Sequence, residues 1–335
     1  MLINIDVIPY SHCMTIIRRM SFFVIVAFAF LNPIFAELKI KDYSFSVSPK
    51  VGVIYGQSEE IVYKYPNSRR YESELLWDLK PLFYAGLSAD FGPSNPFARH
   101  GLISSLSFKA GLPLKTGIMV DHDWMNQNNN YLTHYSRHDA IIKHSFLADA
   151  SLGYSFRLTS FFSVGVFGEF SFMNFFWSAN DGYLQYPESY SSGEYSEWNS
   201  SLSEIHLYGK IITYNQNWFI LAPGVSLSGQ FGRFFSVKGI FNYSPLIYCQ
   251  DEDNHIKRNT VFNDFLYYGH YFKGGGTLVF SPSPRFDFNL SFSYSLIKNT
   301  RGDAEINGVT YTGIAGTGYS AFDMGLSMRI YFFGR

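Results

Sequence analysis

The sequence predicts an all-β fold, an antiparallel transmembrane β-barrel of about ten strands with long extracellular loops. Aromatic residues make up 19% of the chain and charged residues only 16%, yet the mean hydropathy is −0.03. A helical membrane protein would be far more hydrophobic, and a soluble domain would carry more charge. Strands that alternate lipid-facing and lumen-facing residues account for both properties.

An apolar segment near the N-terminus predicts a secretory signal peptide. Arg18-Arg19 supply its positive region, Met20–Leu31 its apolar region, and Ala36 ends a plausible cleavage sequence. The alternative is a transmembrane anchor, but the apolar run is short and Asn32-Pro33 interrupts it. We therefore expect the segment to be removed after export.

This interpretation divides the chain into a signal peptide, 1–36, and one barrel domain, 37–335. Because the first thirteen residues make a poor signal start, translation from Met14 or Met20 also fits. Cleavage would leave Cys249 as the single cysteine, so we expect no disulfide bond within the chain.

Regular alternation of apolar and polar residues supports the barrel. The segments Phe146–Phe156, Phe286–Leu296 and Phe322–Phe332 all place apolar side chains at even positions. Strands with one apolar face fit either a sandwich core or a lipid bilayer. The signal peptide and the aromatic excess favour the bilayer, where only a closed barrel satisfies every backbone group of a sheet.

The segments between these strands alternate between short and long. Short candidate turns lie at 92–96, 158–160, 231–233 and 281–284. Long polar segments lie around 66–71, 121–139, 180–204, 250–259 and 298–309. Short turns on the periplasmic side and long loops outside are typical of outer-membrane barrels. Two clusters of chemically active residues fall in the long segments, so we expect them to face the exterior.

The first cluster contains two carboxylates, Asp121 and Asp123, spaced so that both share one face of a strand. The preceding strand, predicted over 102–120, has its apolar residues at even positions, so both odd-numbered aspartates should point into the lumen. Two carboxylates this close can share a proton or hold a water molecule. The alternatives are a solvated acidic loop or a calcium-binding loop.

The second cluster, Asp251, Asp253 and His255, repeats the two-residue spacing and ends in a histidine. A carboxylate beside an imidazole fixes its tautomer, as a general base requires. Counting alternation from Phe235 places these residues on the outer face, so a bulge near Pro245 is needed to turn them inward. An isolated Asp-x-His is also common by chance.

Together these segments resemble the omptins, a family of outer-membrane endopeptidases. Met119–Met125 with Ser136–His138 is similar to the omptin segment that bears an aspartate couple. Asp251–His255, preceded by Tyr243-Ser244, is similar to the segment that bears an Asp-His dyad. Gly56–Tyr63 is similar to the substrate-pocket region of the first strand. Order and spacing agree along the predicted barrel.

The resemblance implies an aspartic-type endopeptidase that cleaves beside Arg or Lys. His255 would be the general base, Asp253 would orient it, and Asp121 with Asp123 would hold the water and stabilise the tetrahedral intermediate. The carboxylates that select basic residues would be Glu60 and Asp251. Alternation in the first strand independently points Glu60 inward.

The resemblance also implies a reaction without metal or cofactor, and the sequence has no Gly-x-Ser-x-Gly or His-Glu-x-x-His motif. Cys249 as a thiol nucleophile is an alternative, although a small buried filler fits it better. A catalytically inactive omptin-like barrel that acts as an adhesin or host-protein receptor is the rival function. A porin is a weaker option, because side chains fill the lumen of so small a barrel.

The expected partners are polypeptides with basic residues and the lipid of the cell outer membrane. With 26 basic and 27 acidic residues, the chain has no overall attraction for nucleic acid. Omptins bind lipopolysaccharide through basic and aromatic residues outside the barrel, and the basic ones are missing around Gly168–Met173 and Tyr214–Asn217. We therefore predict weak or no dependence on lipopolysaccharide, and we expect a monomer.

Overall fold

The computed structural model describes residues 42–66, 68–191 and 193–333, so the predicted signal peptide lies outside the described residues. This part of the chain forms fourteen strands: β1 Tyr43–Tyr63, β2 Tyr71–Pro93, β3 Gly101–Gly111, β4 Lys115–Asp123, β5 His134–Arg157, β6 Phe162–Gln185, β7 Ser189–Ser191, β8 Glu194–Tyr195, β9 Ile205–Phe231, β10 Phe235–Ser244, β11 Ile247–His255, β12 Thr260–Ser283, β13 Phe286–Ile306 and β14 Val309–Phe333. Within it, no helix has the length and apolar character needed to cross a membrane.

The strands close into an antiparallel ring. β1 pairs with β2 on one side and with β14 on the other, which removes both sheet edges. β3 and β4 occupy one ring position in succession, and so do β10 and β11, so the described strands fill ten positions. β7 and β8 form a separate hairpin between β6 and β9. The predicted fold class, a transmembrane barrel of about ten strands, is confirmed.

An apolar belt surrounds the outside of the barrel. Its large exposed side chains include Val51, Tyr55, Leu106, Phe146, Leu227, Leu278, Phe322 and Leu326. The neighbouring inward positions are small or polar, for example Ser46, Ser48 and Ser226, which are buried. The predicted alternation is therefore present, and its apolar half faces the lipid.

Paired charges fill the lumen inside this belt. Lys273 lies 3.0 Å from Glu169, and Lys109 pairs with Asp323. A buried charge is tolerated when a partner of opposite sign neutralises it. The interior of this small ring is occupied by side chains, which gives no support to the porin alternative.

Beyond the belt, the strands continue into a rim that carries the connections 64–70, 124–133, 186–204, 256–259 and 307–308. Two segments predicted as long loops, 250–259 and 298–309, belong mostly to strands of this rim. The turn from β13 to β14 is only Asn307-Gly308, with φ of 50° and 83°, the positive values that a two-residue hairpin turn requires. Rim strands contact water on the outside, so their polar composition resembles that of loops.

The strand predicted over 102–120 is interrupted. β3 ends at Gly111 and β4 begins at Lys115, and at the start of β4 the even-numbered Thr116 is buried, so the interruption has reversed the alternation. A register shift between Lys115 and Gly117 then returns odd positions to the inside. The two irregularities cancel, so the prediction that Asp121 points inward is confirmed.

The junction between β10 and β11 reverses the faces of the strand. Asn242 lies opposite Gly224, but Ile247 lies opposite Ile220, so five residues on this strand match four on β9. The one extra residue falls beside Pro245, where the bulge was expected. Because side chains alternate along a strand, the extra residue turns the odd positions of β11 inward. The outer-face position that continuous alternation from Phe235 predicted for these residues is therefore wrong.

Candidate active site

At the rim, above the apolar belt, the inward-facing side chains of the strands line the end of the barrel, and this end is termed the cleft. Its first wall is β4, which pairs with β2 so that Asp121 lies opposite Leu75 and Asp123 opposite Ser73. The Ser73 hydroxyl donates a hydrogen bond of 3.3 Å to Oδ1 of Asp121. Asp121 is 4% exposed and Asp123 is half-buried. β4 thus presents both carboxylates of the predicted couple to the cleft.

The opposite wall is β11, held between β9 and β12. Nε2 of His255 lies 2.6 Å from Oδ2 of Asp253, and both side chains are buried. The imidazole also meets the ring of Phe262 edge-on, at 5.4 Å between centroids. The Asp253 carboxylate and this aromatic contact together fix the orientation of the histidine.

The couple and the dyad face each other across the cleft, because β4 and β11 are four positions apart in the ring. Burial raises the pKa of Asp121 well above its usual value, and the charges of Asp123 and Asp253 raise it further. Burial also raises the pKa of Asp123, whereas the charge of His255 lowers it. The couple therefore retains a proton more readily than two solvated carboxylates would.

The predicted substrate carboxylates lie in the same cleft. Glu60 is level with Asp121, since both lie beside Leu75 of β2, and it is 2% exposed. Asp251 is equally buried and accepts a hydrogen bond of 2.9 Å from the Tyr214 hydroxyl. Burial raises the pKa of Glu60 well above its usual value, and the charges of Asp253 and Asp251 add to the effect.

Aromatic side chains close the cleft from below. The rings of Trp77 and Tyr214 stack at 5.3 Å between centroids, and Trp177 stacks on Tyr214 at 5.8 Å. Phe175 extends the layer beside Trp177 at 5.3 Å. All four side chains are fully buried. These stacked rings form the floor of the cleft.

Two residues of the cleft were not predicted from the sequence. Asp264 on β12 lies directly opposite Asp251 and is also 2% exposed. His134 on β5 lies opposite Asp123, and burial lowers its pKa. A signal for Asp264 exists in the sequence, because it interrupts the apolar face that Phe262 and Leu266 form at even positions.

The described part of the chain contains no group of three or more His, Cys, Asp or Glu side chains arranged to hold a metal ion. Cys249 is fully buried below Asp251, at the level of Trp218 and Leu266. Its sulfur is closed off from the open part of the cleft. This placement favours the filler interpretation over the thiol nucleophile.

Comparison with known proteins identifies the family of the chain. The family model described as the omptin family matches residues 41–323. The chain belongs to the omptin family. This omptin is 24% identical over 268 residues to a plasminogen activator of Yersinia pestis, covering 78% of this chain and 79% of the relative. It is also 24% identical over 265 residues to outer membrane protease OmpP of Escherichia coli K12, covering 78% and 80%.

A solved structure confirms the fold of this omptin. The crystal structure of outer membrane protease OmpT from Escherichia coli superimposes with a TM-score of 0.75 at 17% sequence identity. The match covers 86% of this chain and 97% of the OmpT chain. At this identity the likeness establishes the common barrel architecture.

The unpaired burial of Glu60 leads to a prediction about stability. Since its pKa is raised in the folded protein, folding takes up a proton above the unfolded value of 4.5, and native stability falls as pH rises from there. Glu60→Gln removes this dependence. We expect the variant to unfold at a higher temperature than the native protein at pH 8, with a gain of roughly 1.4 kcal/mol for each pH unit between the two pKa values.

Thermal conversion of the compact barrel to its unfolded, slower-migrating form on a gel measures this effect. The gain should shrink when the experiment is repeated at pH 4. Glu188→Gln, at an exposed position, provides the matched control and should leave the transition unchanged. A Glu60→Gln protein that is less stable than the native protein at pH 8 would contradict the prediction.

Proposed function

We propose that this omptin is an outer-membrane endopeptidase that hydrolyses peptide bonds next to basic residues. One observation carries the proposal: the buried Asp253–His255 pair faces the buried Asp121 and the half-buried Asp123 across the cleft. An adhesin has no need of these four groups together. The similarity to outer membrane protease OmpP supports the same function.

In the proposed mechanism, a water molecule lies between the couple and the dyad. Asp253 accepts the Nε2–H of His255, which leaves Nδ1 free as the base. Nδ1 takes a proton from the water while its oxygen attacks the carbonyl carbon of the substrate. The proton shared by Asp121 and Asp123 stabilises the oxyanion, and His255 then passes its proton to the leaving amine. The reaction consumes one water and leaves the enzyme unchanged.

The carboxylates below the dyad explain the proposed specificity. Asp251 is one inward step deeper than Asp253, which is about 7 Å along a strand. That depth matches the length of an extended Arg or Lys side chain whose backbone lies at the dyad. A guanidinium or ammonium group would therefore reach Asp251 and Glu60, where it forms charge-assisted hydrogen bonds.

The rim is the proposed exterior side of the barrel. The long connections 124–133 and 186–204 lie at this end, as the outer loops of such barrels do. The second of them carries four acidic residues and no lysine or arginine, which would attract cationic polypeptides. We further propose that the protein acts as a monomer, with little or no requirement for lipopolysaccharide.

Cleavage of an internally quenched peptide containing Arg-Arg tests the function. The matched peptide carries citrulline, an uncharged isostere, at both positions. We expect the refolded protein to cleave the arginine peptide at least about a hundredfold faster, because only that peptide satisfies the buried carboxylates. Activity without added lipopolysaccharide would agree with the lipid prediction, and activity only with it would contradict that prediction.

Migration of the unheated sample as a compact band verifies that the barrel is folded. A folded protein that leaves the arginine peptide intact, with and without lipopolysaccharide, would contradict the peptidase proposal. That result would favour the adhesin or host-protein receptor.

A further inference from the structure

The cleft contains a carboxylate that the proposed mechanism does not use. Asp264 of β12 and Asp251 of β11 are direct cross-strand partners, and both point into the cleft. Like charges placed directly opposite each other destabilise an antiparallel pair. Asp264 therefore weakens the local fold unless something in the cleft compensates for its charge.

The protein itself does not supply that compensation. Oδ1 of Asp264 and Oε2 of Glu60 are both buried and have no hydrogen-bond partner among the described residues. The charges that act on Asp251 are those of Asp264 and Asp253, and the charge that acts on Asp264 is that of Asp253, so both groups face other carboxylates. Buried carboxylates are normally paired with a cation or with several donors. The unpartnered oxygens indicate that the cation comes from a ligand.

The geometry favours a planar cation with many donors. Glu60, Asp251 and Asp264 project from three different strands, so their oxygens approach the cleft from separate directions. The Tyr214 hydroxyl already occupies one oxygen of Asp251. A guanidinium carries five N–H donors in one plane, whereas an ammonium carries only three on one atom. Two carboxylates suffice for an ammonium, but a third adds acceptors that only a guanidinium can use fully.

We propose that Asp264 is a specificity-determining residue that makes the pocket prefer arginine over lysine. This inference rests on the proposed function, since it concerns the pocket in which the basic side chain of the substrate binds. Glu60 and Asp251 provide attraction for either cation. Asp264 adds the acceptor for the remaining N–H groups of the guanidinium, and the guanidinium in turn neutralises the acid pair.

Two quenched peptides that differ only in Arg or Lys at the cleaved position test the inference. The native protein should show a higher kcat/KM for the arginine peptide. Asp264→Asn keeps the size of the side chain but removes its charge. It should lower kcat/KM for arginine by roughly ten- to a hundredfold and for lysine by about threefold or less. Most of the change should appear in KM.

Asp303→Asn is the matched control. Asp303 lies one strand away, where it accepts hydrogen bonds from the Tyr267 hydroxyl and the Gly313 amide. This variant loses the same charge but should keep the native preference for arginine. An Asp264→Asn protein that retains the native Arg-to-Lys ratio would overturn the inference while leaving the peptidase function intact.

Competitive inhibition of the native protein gives a second test that needs no variant to fold. Butylguanidine should inhibit cleavage at a lower concentration than butylamine by tenfold or more. Equal inhibition by the two compounds would also overturn the role of Asp264. If the native protein cleaves neither peptide, the proposed function fails and the inference fails with it.

Discussion

Replacement of His255 by alanine is expected to reduce kcat by roughly a thousandfold, with little change in KM. The imidazole is the one group in the dyad that can accept the proton of the attacking water. It is buried, and Asp253 lies 2.6 Å from its Nε2, which holds the ring in one orientation. The loss should fall on kcat, because the histidine acts on the water rather than on the bound substrate.

Asp121→Asn should cause a loss of similar size for a different reason. The amide preserves the shape of the side chain and its contact with Ser73, but it cannot share a proton with Asp123. Combining both substitutions should cost little more than either one alone, because residues that act as a unit are not additive. A double variant in which the two losses multiply would contradict the proposed cooperation across the cleft.

Initial rates on the quenched arginine peptide provide the measurement. His270→Ala is the matched control, since His270 is exposed on the outer side of the barrel and contacts the Tyr243 hydroxyl. It should retain native activity. A His255→Ala protein that forms the compact barrel and still cleaves at a comparable rate would remove His255 from the mechanism.

Neutralising Asp251 should produce the second largest effect. We expect Asp251→Asn to lower kcat/KM for the arginine peptide by roughly a hundredfold or more, because a buried cation would lose one of its anionic partners. Cleavage of the citrulline peptide, already slow, should change little. The loss should appear mainly as a higher KM, since the pocket binds the basic side chain equally well in the ground state and in the transition state.

The neighbouring residue provides a control within the same strand. Glu252 is exposed on the outer face of β11, one residue away from the pocket. Glu252→Gln removes an equal charge and should preserve kcat/KM. If the two variants lost activity to the same extent, general attraction by the acidic rim would explain the preference better than a specific pocket does.

Alternation along the sequence predicted much of the fold and part of the cleft. It placed Glu60 and Asp121 inside correctly, because β1 follows a simple alternation and the two irregularities before Asp121 cancel. It placed Asp253 and His255 outside, because alternation does not count the one extra residue near Pro245, and that residue has no recognisable sequence signal. Only the expected bulge at that proline brought the two clusters to the same side.

Asp264 could not be recognised in the same way. It follows a segment whose polar residues predicted a long loop, yet the segment is paired strand from Ile247 to His255 and again from Thr260. Strands that rise into water no longer carry an apolar outer face, so the pattern that identifies a lipid-facing strand disappears there. Its position opposite Asp251 depends on strand pairing, which a single sequence does not specify.

The extra residue between β10 and β11 also restricts how this gene can change in length. Loss of one residue there would turn Asp251, Asp253 and His255 towards the outside, and gain of one would do the same. Either event would separate the acids from their partners while the barrel kept its ring of strands. Insertions and deletions at this junction should therefore survive in descendants only in steps of two residues, unless a compensating change occurs nearby.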